Sequence, residues 1–298
     1  MSARLFLAIL VLATEVSGQE TEKWHPLCPP QSGRNHPVTF SRSAGALTIS
    51  VGFTPEKDLS GDAQSCRFRL ISSSGATVVR GTGDFLGEPE LVDVDGDGLS
   101  EIVLTTGDSG TAHCGALYIV KQRPAQLLKR LENCSSPAIV NFAQQPQPLI
   151  VMRDPTFWTE DQHFIPFMCH ICSPTPSVYF RLENGKLRNV SGEMSAAYDR
   201  DIADERSRLG RANLKALVAA RDLHEIDLVS RTDANRLGDT LFTVLRIVTD
   251  YLYSGRQQQA WRALDDMWPA WDRERIQRWL LKRIAESRRR GTLAFENR

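Results

Sequence analysis

The sequence predicts an α+β protein whose two parts are segregated along the chain: an antiparallel β-domain over residues 38–192 and an α-helical domain over residues 193–298. Before Gly192, apolar and polar residues alternate, as they do in Leu47–Val51, and this period is typical of half-buried strands. After Gly192, Ala, Leu, Arg, Asp and Glu dominate, and apolar residues recur at helical spacing. This change in composition and in the spacing of apolar residues predicts a domain boundary after Gly192.

The N-terminus has the pattern of a secretory signal. Basic Arg4 precedes an apolar run from Leu5 to Ala13, and small residues follow up to Gly18. We therefore predict a signal peptide over residues 1–18, cleaved after Gly18, an irregular arm over residues 19–37, and a secreted or periplasmic protein. The apolar run is too short to span a bilayer, and the mature chain contains no transmembrane segment by this reading.

Charge and cysteine content narrow the class of protein. Lys plus Arg and Asp plus Glu both number 36, and this balance argues against a nucleic-acid partner. The six cysteines all follow the predicted cleavage site, so we expect three disulfides. Fifteen pairings exist and the sequence does not choose among them. Our working assignment is Cys114–Cys134, Cys28–Cys66 and Cys169–Cys172.

The β-domain contains a loose repeat of strand, loop, strand, turn and strand. Its copies run from Leu47 to about Gly81, from Ile102 to about Leu128, and from Leu149 to Leu187. Spacings of about 50 to 60 residues suit propeller blades, but a closed propeller needs at least about four blades. We therefore expect a partial, propeller-like β-domain.

Three helices are predicted clearly in the C-terminal half, with two weaker ones over residues 195–220 and 222–236. The first clear helix stops at Ser254-Gly255, the second is ended by Pro269, and the third starts near Asp272. The turn at Tyr251–Gly255, with Ala260 after it, resembles a tetratricopeptide hairpin. An unrelated small helical bundle is the alternative.

An acidic, glycine-containing loop between two predicted strands is the centre of the β-domain. Its carboxylates and glycines are Asp93, Asp95, Gly96, Asp97, Gly98 and Glu101. Like charges at ~4 Å repel by about 4 kcal/mol at an effective dielectric of ~20. A hard cation would remove this repulsion, because such ions bind cages of oxygen atoms. A solvated acidic turn without an ion is the alternative.

This loop resembles a known family of calcium-binding repeats. It begins like an EF-hand, but Leu104 occupies the position where an EF-hand needs a bidentate Glu, and the flanks predict strands. The pattern is similar to the FG-GAP or VCBS type of β-propeller repeat over residues 83–107. The resemblance implies a structural Ca²⁺ ion with side-chain ligands from Asp93, Asp95, Asp97 and Glu101, and a carbonyl ligand from Leu99.

Two other segments contain residues used by enzymes, and we predict that neither is catalytic. Ser109 precedes His113, whereas trypsin-like enzymes have the histidine motif upstream of the serine motif. Cys169 and Cys172 have thiol-redox spacing, but the flanking prolines oppose the helix that would activate a thiol. A structural disulfide and a zinc site that includes His163 and His170 both stay open.

The sequence thus predicts a non-catalytic, calcium-stabilised binding protein with an unidentified protein or glycan partner. A secreted metal-dependent hydrolase and a cell-surface adhesion module are the alternatives. The first would need an acid, a base or a nucleophile that converge on a pocket. The second depends on the propeller analogy alone.

Overall fold

The computed structural model describes residues 38–55, 64–108, 114–134, 137–157, 173–223 and 233–290. Antiparallel sheets occupy the N-terminal part of this range and five helices follow, so the predicted α+β arrangement is confirmed. The predicted signal peptide and arm lie outside the described residues. The same holds for Cys28, the Ser109 and His113 pair, and the segment with His163, Cys169, His170 and Cys172.

The first sheet is a four-stranded antiparallel meander. Its strands are β1 (Val38–Ala44), β2 (Leu47–Pro55), β3 (Gln64–Ile71) and β4 (Thr77–Gly83), and each pairs with the next along the chain. The alternation of apolar and polar residues gives this sheet one buried face and one exposed face, because successive side chains of a strand point to opposite sides. Ile49 and Phe68 are buried, whereas Thr48 and Arg69 are exposed.

The second sheet is built around β7. Its strands are β5 (Phe85–Leu86), β6 (Glu90–Val92), β7 (Glu101–Gly107), β8 (Cys114–Gln122) and β9 (Ala125–Cys134). Both β5 and β6 pair with β7, so they act as one edge strand interrupted by the Gly87–Pro89 segment. The predicted strands on either side of the acidic loop are therefore neighbours in one sheet.

The third sheet is again an antiparallel meander. Its strands are β10 (Ala138–Val140), β11 (Leu149–Arg153), β12 (Ser177–Glu183) and β13 (Lys186–Asn189). Asn184 and Gly185 join β12 to β13 with φ values of 52° and 73°. A two-residue turn with both φ values positive matches the twist of a hairpin, as the Asn-Gly step predicts.

The three sheets pack face to face, and the middle sheet is buried on both sides. Ile102 and Leu104 of β7 join a core with the first sheet, whereas Val103 between them joins a core with the third sheet. On β8, Tyr118 belongs to the core shared with the first sheet, and Ile119 belongs to the core shared with the third sheet. Burial on both faces explains why the middle strands are runs of apolar residues rather than alternating ones.

No ring of sheets is closed within the described part of the chain. The ordered β-structure there consists of three sheets, each containing one of the three sequence segments that suggested a repeat. A partial propeller therefore stays a prediction. No helix in the described ranges is both long enough and apolar enough to cross a membrane.

The helical part follows the predicted boundaries closely. Its helices are α1 (Ser195–Arg208), α2 (Arg211–Ala219), α3 (Asp233–Tyr253), α4 (Gln257–Met267) and α5 (Arg273–Arg290). The weak helix expected over residues 195–220 is divided, because Gly210 has extended backbone angles. Most of the segment expected to be helical over residues 222–236 lies outside the described residues.

The end of α3 shows why the predicted stop was correct. Gly255 has a φ of 77°, which glycine adopts without steric cost. The Arg256 N–H donates to the Tyr251 carbonyl at 2.8 Å, and the Gly255 N–H donates to the Leu252 carbonyl at 3.1 Å. These two hydrogen bonds provide donors for carbonyl groups that would otherwise have none at the end of the helix. The chain then turns directly into α4.

The helices share a core with the third sheet, so the two parts are segregated in sequence but not in packing. One continuous apolar cluster includes Phe180 of β12, Tyr198 of α1, Leu245 of α3 and Leu280 of α5. The rings of Tyr179 and Tyr198 meet edge to face with centroids 5.3 Å apart. The helical part therefore covers the face of the third sheet that would otherwise be exposed to water.

A buried carboxylate connects this sheet to two helices. Asp154 follows β11 and is fully buried; its Oδ2 accepts hydrogen bonds from the hydroxyls of Tyr253 in α3 and Ser287 in α5. Its Oδ1 accepts a bond from the Thr156 N–H at 2.8 Å. Burial and the Asp154 charge together raise the pKa of Tyr253, which keeps that hydroxyl a donor.

The disulfides are described in part. Cys66 and Cys114 are both disulfide-bonded. Cys134 lies directly opposite Cys114 in the ladder between β8 and β9, which is the relation that our working pairing requires. The three pairings stay predictions.

We expect Asp154→Ala to lower the free energy of unfolding by about 3 kcal/mol or more, because two buried hydroxyls and one N–H would lose their acceptor. Urea denaturation at neutral pH measures the change. Asp239→Ala, at an exposed position of α3, is the control and should change stability by less than about 0.5 kcal/mol. Equal effects of the two substitutions would show that Asp154 does not hold the sheet and helices together.

Candidate metal centre

The acidic loop joins β6 to β7, and the sheet holds its two ends together. Val92 and Glu101 are register partners in the antiparallel ladder, so the residues between them must turn back within a short distance. Gly96 and Gly98 have φ values of 74° and 84°. These are the conformations for which the two glycines were expected, since other residues adopt them with strain.

Backbone N–H groups of the loop point at its own carboxylates. The two oxygens of Asp93 accept bonds from Gly96 N–H at 2.8 Å and from Gly98 N–H at 3.0 Å. Oδ1 of Asp95 accepts a bond from Asp97 N–H at 3.2 Å. Each bond uses one lone pair of an oxygen that has two, so these carboxylates keep acceptor capacity for a cation.

Glu101 lies beneath the loop and is the buried member of the group. Its side chain is fully inaccessible to solvent. Oε2 accepts a bond from the Val94 N–H at 2.9 Å, whereas Oε1 is buried without any hydrogen-bond partner. A buried polar atom without a partner is uncommon in folded proteins and calls for an explanation, such as an ion.

The environment of Glu101 disfavours a bare negative charge. Burial raises its pKa above the ordinary value, and the carboxylates of Asp95, Asp97 and Asp93 raise it further by repulsion. The bond from the Val94 N–H acts in the opposite direction without cancelling these effects. A proton or a nearby cation would therefore stabilise this group.

Three of the four predicted carboxylates converge. Asp93, Asp95 and Glu101 each offer an oxygen, and these oxygens lie within 4.8 Å of one another. All three donors are hard oxygen atoms, the type that Ca²⁺ and Mg²⁺ select. The arrangement can therefore hold a divalent metal ion, and its geometry alone does not identify which one.

Asp97, the fourth predicted ligand, faces a different partner. Its Oδ2 forms an ion pair with the Lys121 ammonium group at 2.6 Å, and Oδ1 accepts a bond from the Leu99 N–H at 2.8 Å. The Lys121 bond holds the pKa of Asp97 below its ordinary value, and Asp97 in turn raises the pKa of Lys121. Asp97 as a metal ligand stays a prediction.

Leu99, the predicted carbonyl ligand, lies in the loop two residues before β7 begins, and its side chain is 58% exposed. Its carbonyl as a metal ligand also stays a prediction.

Two side chains that support the loop were not predicted. Lys121 comes from β8, and Gln147 comes from the segment before β11. The Gln147 amide donates to the Val94 carbonyl of the loop and to the Leu182 carbonyl of the third sheet, both at 3.1 Å. Neither residue belongs to a local motif, and only the packing of sheets brings them to the loop.

Comparisons of the sequence with protein-family models and with curated proteins found no match.

A second group of ionisable side chains lies between the third sheet and the helices. Burial raises the pKa of Asp250 in α3 to about 8, and the nearby Asp201 carboxylate of α1 raises it too, whereas Arg153 and Arg246 act in the opposite direction. Burial likewise raises the pKa of Asp201. The sequence contained no sign of this pair, because Asp201 and Asp250 lie on different helices that only the tertiary structure brings together.

We expect Asp250 to make a contribution to stability that is lost as pH rises from about 4 to 8. The unfolded chain releases this proton near the ordinary value of 3.8, whereas the folded protein retains it up to about 8. Between these values the unfolded state binds fewer protons, so stability falls by up to about 1.4 kcal/mol per pH unit.

Asp250→Asn should flatten this slope and raise the free energy of unfolding above pH 8 relative to the wild type. Urea denaturation at a series of pH values measures both effects. Asp266→Asn, at an exposed position of α4, is the matched control and should leave the slope unchanged. An identical slope in the wild type and Asp250→Asn would contradict the assignment.

Proposed function

We propose that this protein is a secreted or periplasmic, non-catalytic binding protein whose β-domain is stabilised by a structural calcium ion. One observation carries the proposal. The oxygens of Asp93, Asp95 and Glu101 converge within 4.8 Å, and Oε1 of Glu101 is buried there without a hydrogen-bond partner. A bound cation would give that oxygen a partner and neutralise the repulsion among the carboxylates at the same time.

The donor set favours calcium over zinc. Zinc sites in proteins use mainly sulfur and nitrogen ligands in tetrahedral geometry, whereas the loop offers carboxylate oxygens. Calcium also tolerates irregular cages of six to eight oxygens, so backbone carbonyls and water molecules would complete the shell. The Leu99 carbonyl and Asp97 are the protein ligands that we propose in addition to the three converging carboxylates.

A structural role is favoured by the position of the loop. Glu101 is the first residue of β7, and β7 pairs with β5, β6 and β8. A cation at the base of the loop would therefore stabilise the strand on which the middle sheet is built. Nothing in this role requires the metal to activate a substrate or a water molecule.

The proposed fold follows from the FG-GAP or VCBS resemblance of the acidic loop. The blades of a β-propeller are four-stranded antiparallel sheets arranged around an axis. Here two antiparallel sheets of four strands pack face to face on either side of a middle sheet, in which β5 and β6 together form one edge. The acidic loop leads into β7 of the middle sheet. We propose a partial propeller of three such blades, with the helices packed on the last one.

The oxidised cysteines support the proposed location. Cys66 and Cys114 are disulfide-bonded, and disulfides persist in secreted and periplasmic proteins, whereas reducing compartments keep thiols free. Calcium is also abundant outside cells, where sites with dissociation constants of roughly 10⁻⁴ to 10⁻³ M are filled. A protein or glycan partner is part of the proposal, and its identity is open.

We expect calcium to raise the melting temperature by about 5–10 °C, because ligand at 100 times its dissociation constant stabilises the native state by about 2.7 kcal/mol. Differential scanning calorimetry with calcium or with a chelator measures the shift. Magnesium at the same concentration should have a smaller effect, since it demands near-ideal octahedral geometry.

Glu101→Gln should remove the calcium response while making the chelated protein more stable than the chelated wild type. The substitution keeps the shape of the side chain but removes the buried charge and its repulsion with Asp95. Glu90→Gln, on the exposed side of β6 beside the loop, is the matched control and should retain the full response. A calcium shift that survives Glu101→Gln would refute the proposed site.

Lys121→Met should increase calcium affinity several-fold if Asp97 is a ligand. In the wild type the Lys121 ammonium group occupies Oδ2 of Asp97 and repels an incoming cation. Isothermal titration calorimetry measures the affinity. Lys129→Met on β9 removes the same charge at a distance from the loop and is the control. Unchanged affinity in Lys121→Met would contradict the expected competition between Lys121 and the cation for Asp97.

A further inference from the structure

The outer face of the first sheet contains a group of arginines. Arg69 of β3 is the register partner of Arg80 of β4, and Arg67 lies two residues earlier on the same face of β3. Ser50 of β2 lies opposite Arg69, and Thr82 lies opposite Arg67. This face is therefore a grid of guanidinium and hydroxyl groups, whereas the other face of the same strands forms an apolar core.

These residues line a cleft rather than a flat surface. The cleft has a volume of about 520 Å³, and the described residues that line it include four arginines and no acid. The arginines are Arg67, Arg69, Arg80 and Arg130, and Phe68 and Gly81 of the opposite face also contribute to the lining. Volumes of roughly 300–1,000 Å³ are typical of small-molecule sites. Arg130 comes from β9 of the second sheet, so side chains of two sheets line one concave site.

The position of Arg130 is defined by its neighbours. Its guanidinium carbon lies 5.5 Å from the centroid of the Tyr118 ring, and it forms an ion pair with Glu132 on the same strand. The Tyr118 ring in turn contacts the Phe68 ring edge to face, with centroids 5.2 Å apart. Arg130 is thus presented at the cleft by side chains that belong to the packed core.

The pair Arg69 and Arg80 is the unusual feature. Like charges directly opposite each other on neighbouring strands destabilise a sheet. Within the described residues neither guanidinium has an ion-pair partner. An anion placed between the two would convert this repulsion into two attractive contacts.

We propose that the cleft binds a small phosphorylated molecule through Arg69 and Arg80, with Arg130 contributing to the same site. Two guanidinium groups fit a phosphate better than a carboxylate. A carboxylate offers two oxygens, which one arginine engages in a bidentate pair, whereas a phosphate group has oxygens and charge for two such pairs. Hydroxyls such as those of Ser50 and Thr82 suit the remaining phosphate oxygens.

The proposal is tested by isothermal titration calorimetry with the full chain, using pyrophosphate as the probe and citrate as a carboxylate of comparable charge. We expect saturable binding of pyrophosphate that weakens as salt increases, and binding of citrate at least tenfold weaker. No heat of binding for pyrophosphate at low ionic strength, or equal affinity for citrate, would overturn the phosphate assignment.

The paired variant Arg69→Gln with Arg80→Gln should reduce pyrophosphate affinity at least tenfold while leaving the melting temperature equal or higher, because a like-charge contact disappears. The control, Arg278→Gln with Arg289→Gln on exposed positions of α5, removes the same net charge and should bind as the wild type does. An equal loss of pyrophosphate affinity in both double variants would indicate a general effect of net charge and would refute the proposed binding site.

Sedimentation with vesicles that contain phosphatidic acid separates a soluble ligand from a lipid headgroup. We expect the wild type to bind these vesicles no better than the paired cleft variant does. Cleft-dependent sedimentation with vesicles, without binding of pyrophosphate, would overturn the small-molecule assignment.

Discussion

The buried carboxylate of Glu101 imposes an electrostatic constraint on β7, the strand around which the middle sheet is built. It begins β7, it is shielded from water, and one of its oxygens has no hydrogen-bond partner. Three aspartates of the adjoining loop raise its pKa further by repulsion. A polypeptide can tolerate such a group only if a proton or a cation compensates the charge. Of these, the cation also gives the converging aspartates a common partner, and this is why we interpret the loop as a metal site.

The consequences extend beyond the loop because β7 is central to the stack of sheets. Its odd and even residues belong to different cores, with Val103 facing the third sheet and Ile102 and Leu104 facing the first. Gln147 ties the loop backbone to the third sheet through the Val94 and Leu182 carbonyls. A change in the charge state at Glu101 would thus affect residues that contact all three sheets, and for this reason we propose a structural role for an ion at this position.

The stack of three sheets has two outer faces, one on the first sheet and one on the third, and these faces differ in chemistry. The outer face of the third sheet is covered by helices, and Asp154 joins it to α3 and α5 by buried hydrogen bonds. The outer face of the first sheet instead presents Arg67, Arg69 and Arg80, which line the cleft together with Arg130 of the second sheet. An apolar end must be covered to be stable in water, whereas a charged end is stable when exposed and is free to bind a ligand.

Local sequence was sufficient for the elements whose causes are local. The Asn184-Gly185 hairpin, the end of α3 at Gly255, and the turns at Gly96 and Gly98 follow from backbone preferences of single residues, and the structure has them where we expected them. The order of strands and helices was also predictable, because periods of two and of 3.6 residues are local patterns. The division of the weak helix at Gly210 was missed, because a single glycine only weakly opposes a helix.

Features that depend on residues far apart in the chain required the tertiary structure. The sequence placed four carboxylates near one another, but it did not show that Asp97 pairs with Lys121 or that Glu101 is buried without a partner for one oxygen. It also did not reveal the Asp201 and Asp250 pair or the meeting of Arg69, Arg80 and Arg130. The physical reason is that burial, and therefore the strength of a charge interaction, is decided by which surfaces pack together. The sequence by itself determined the elements, their turns and the acidic loop, and only the packing of the sheets decided which charges would meet.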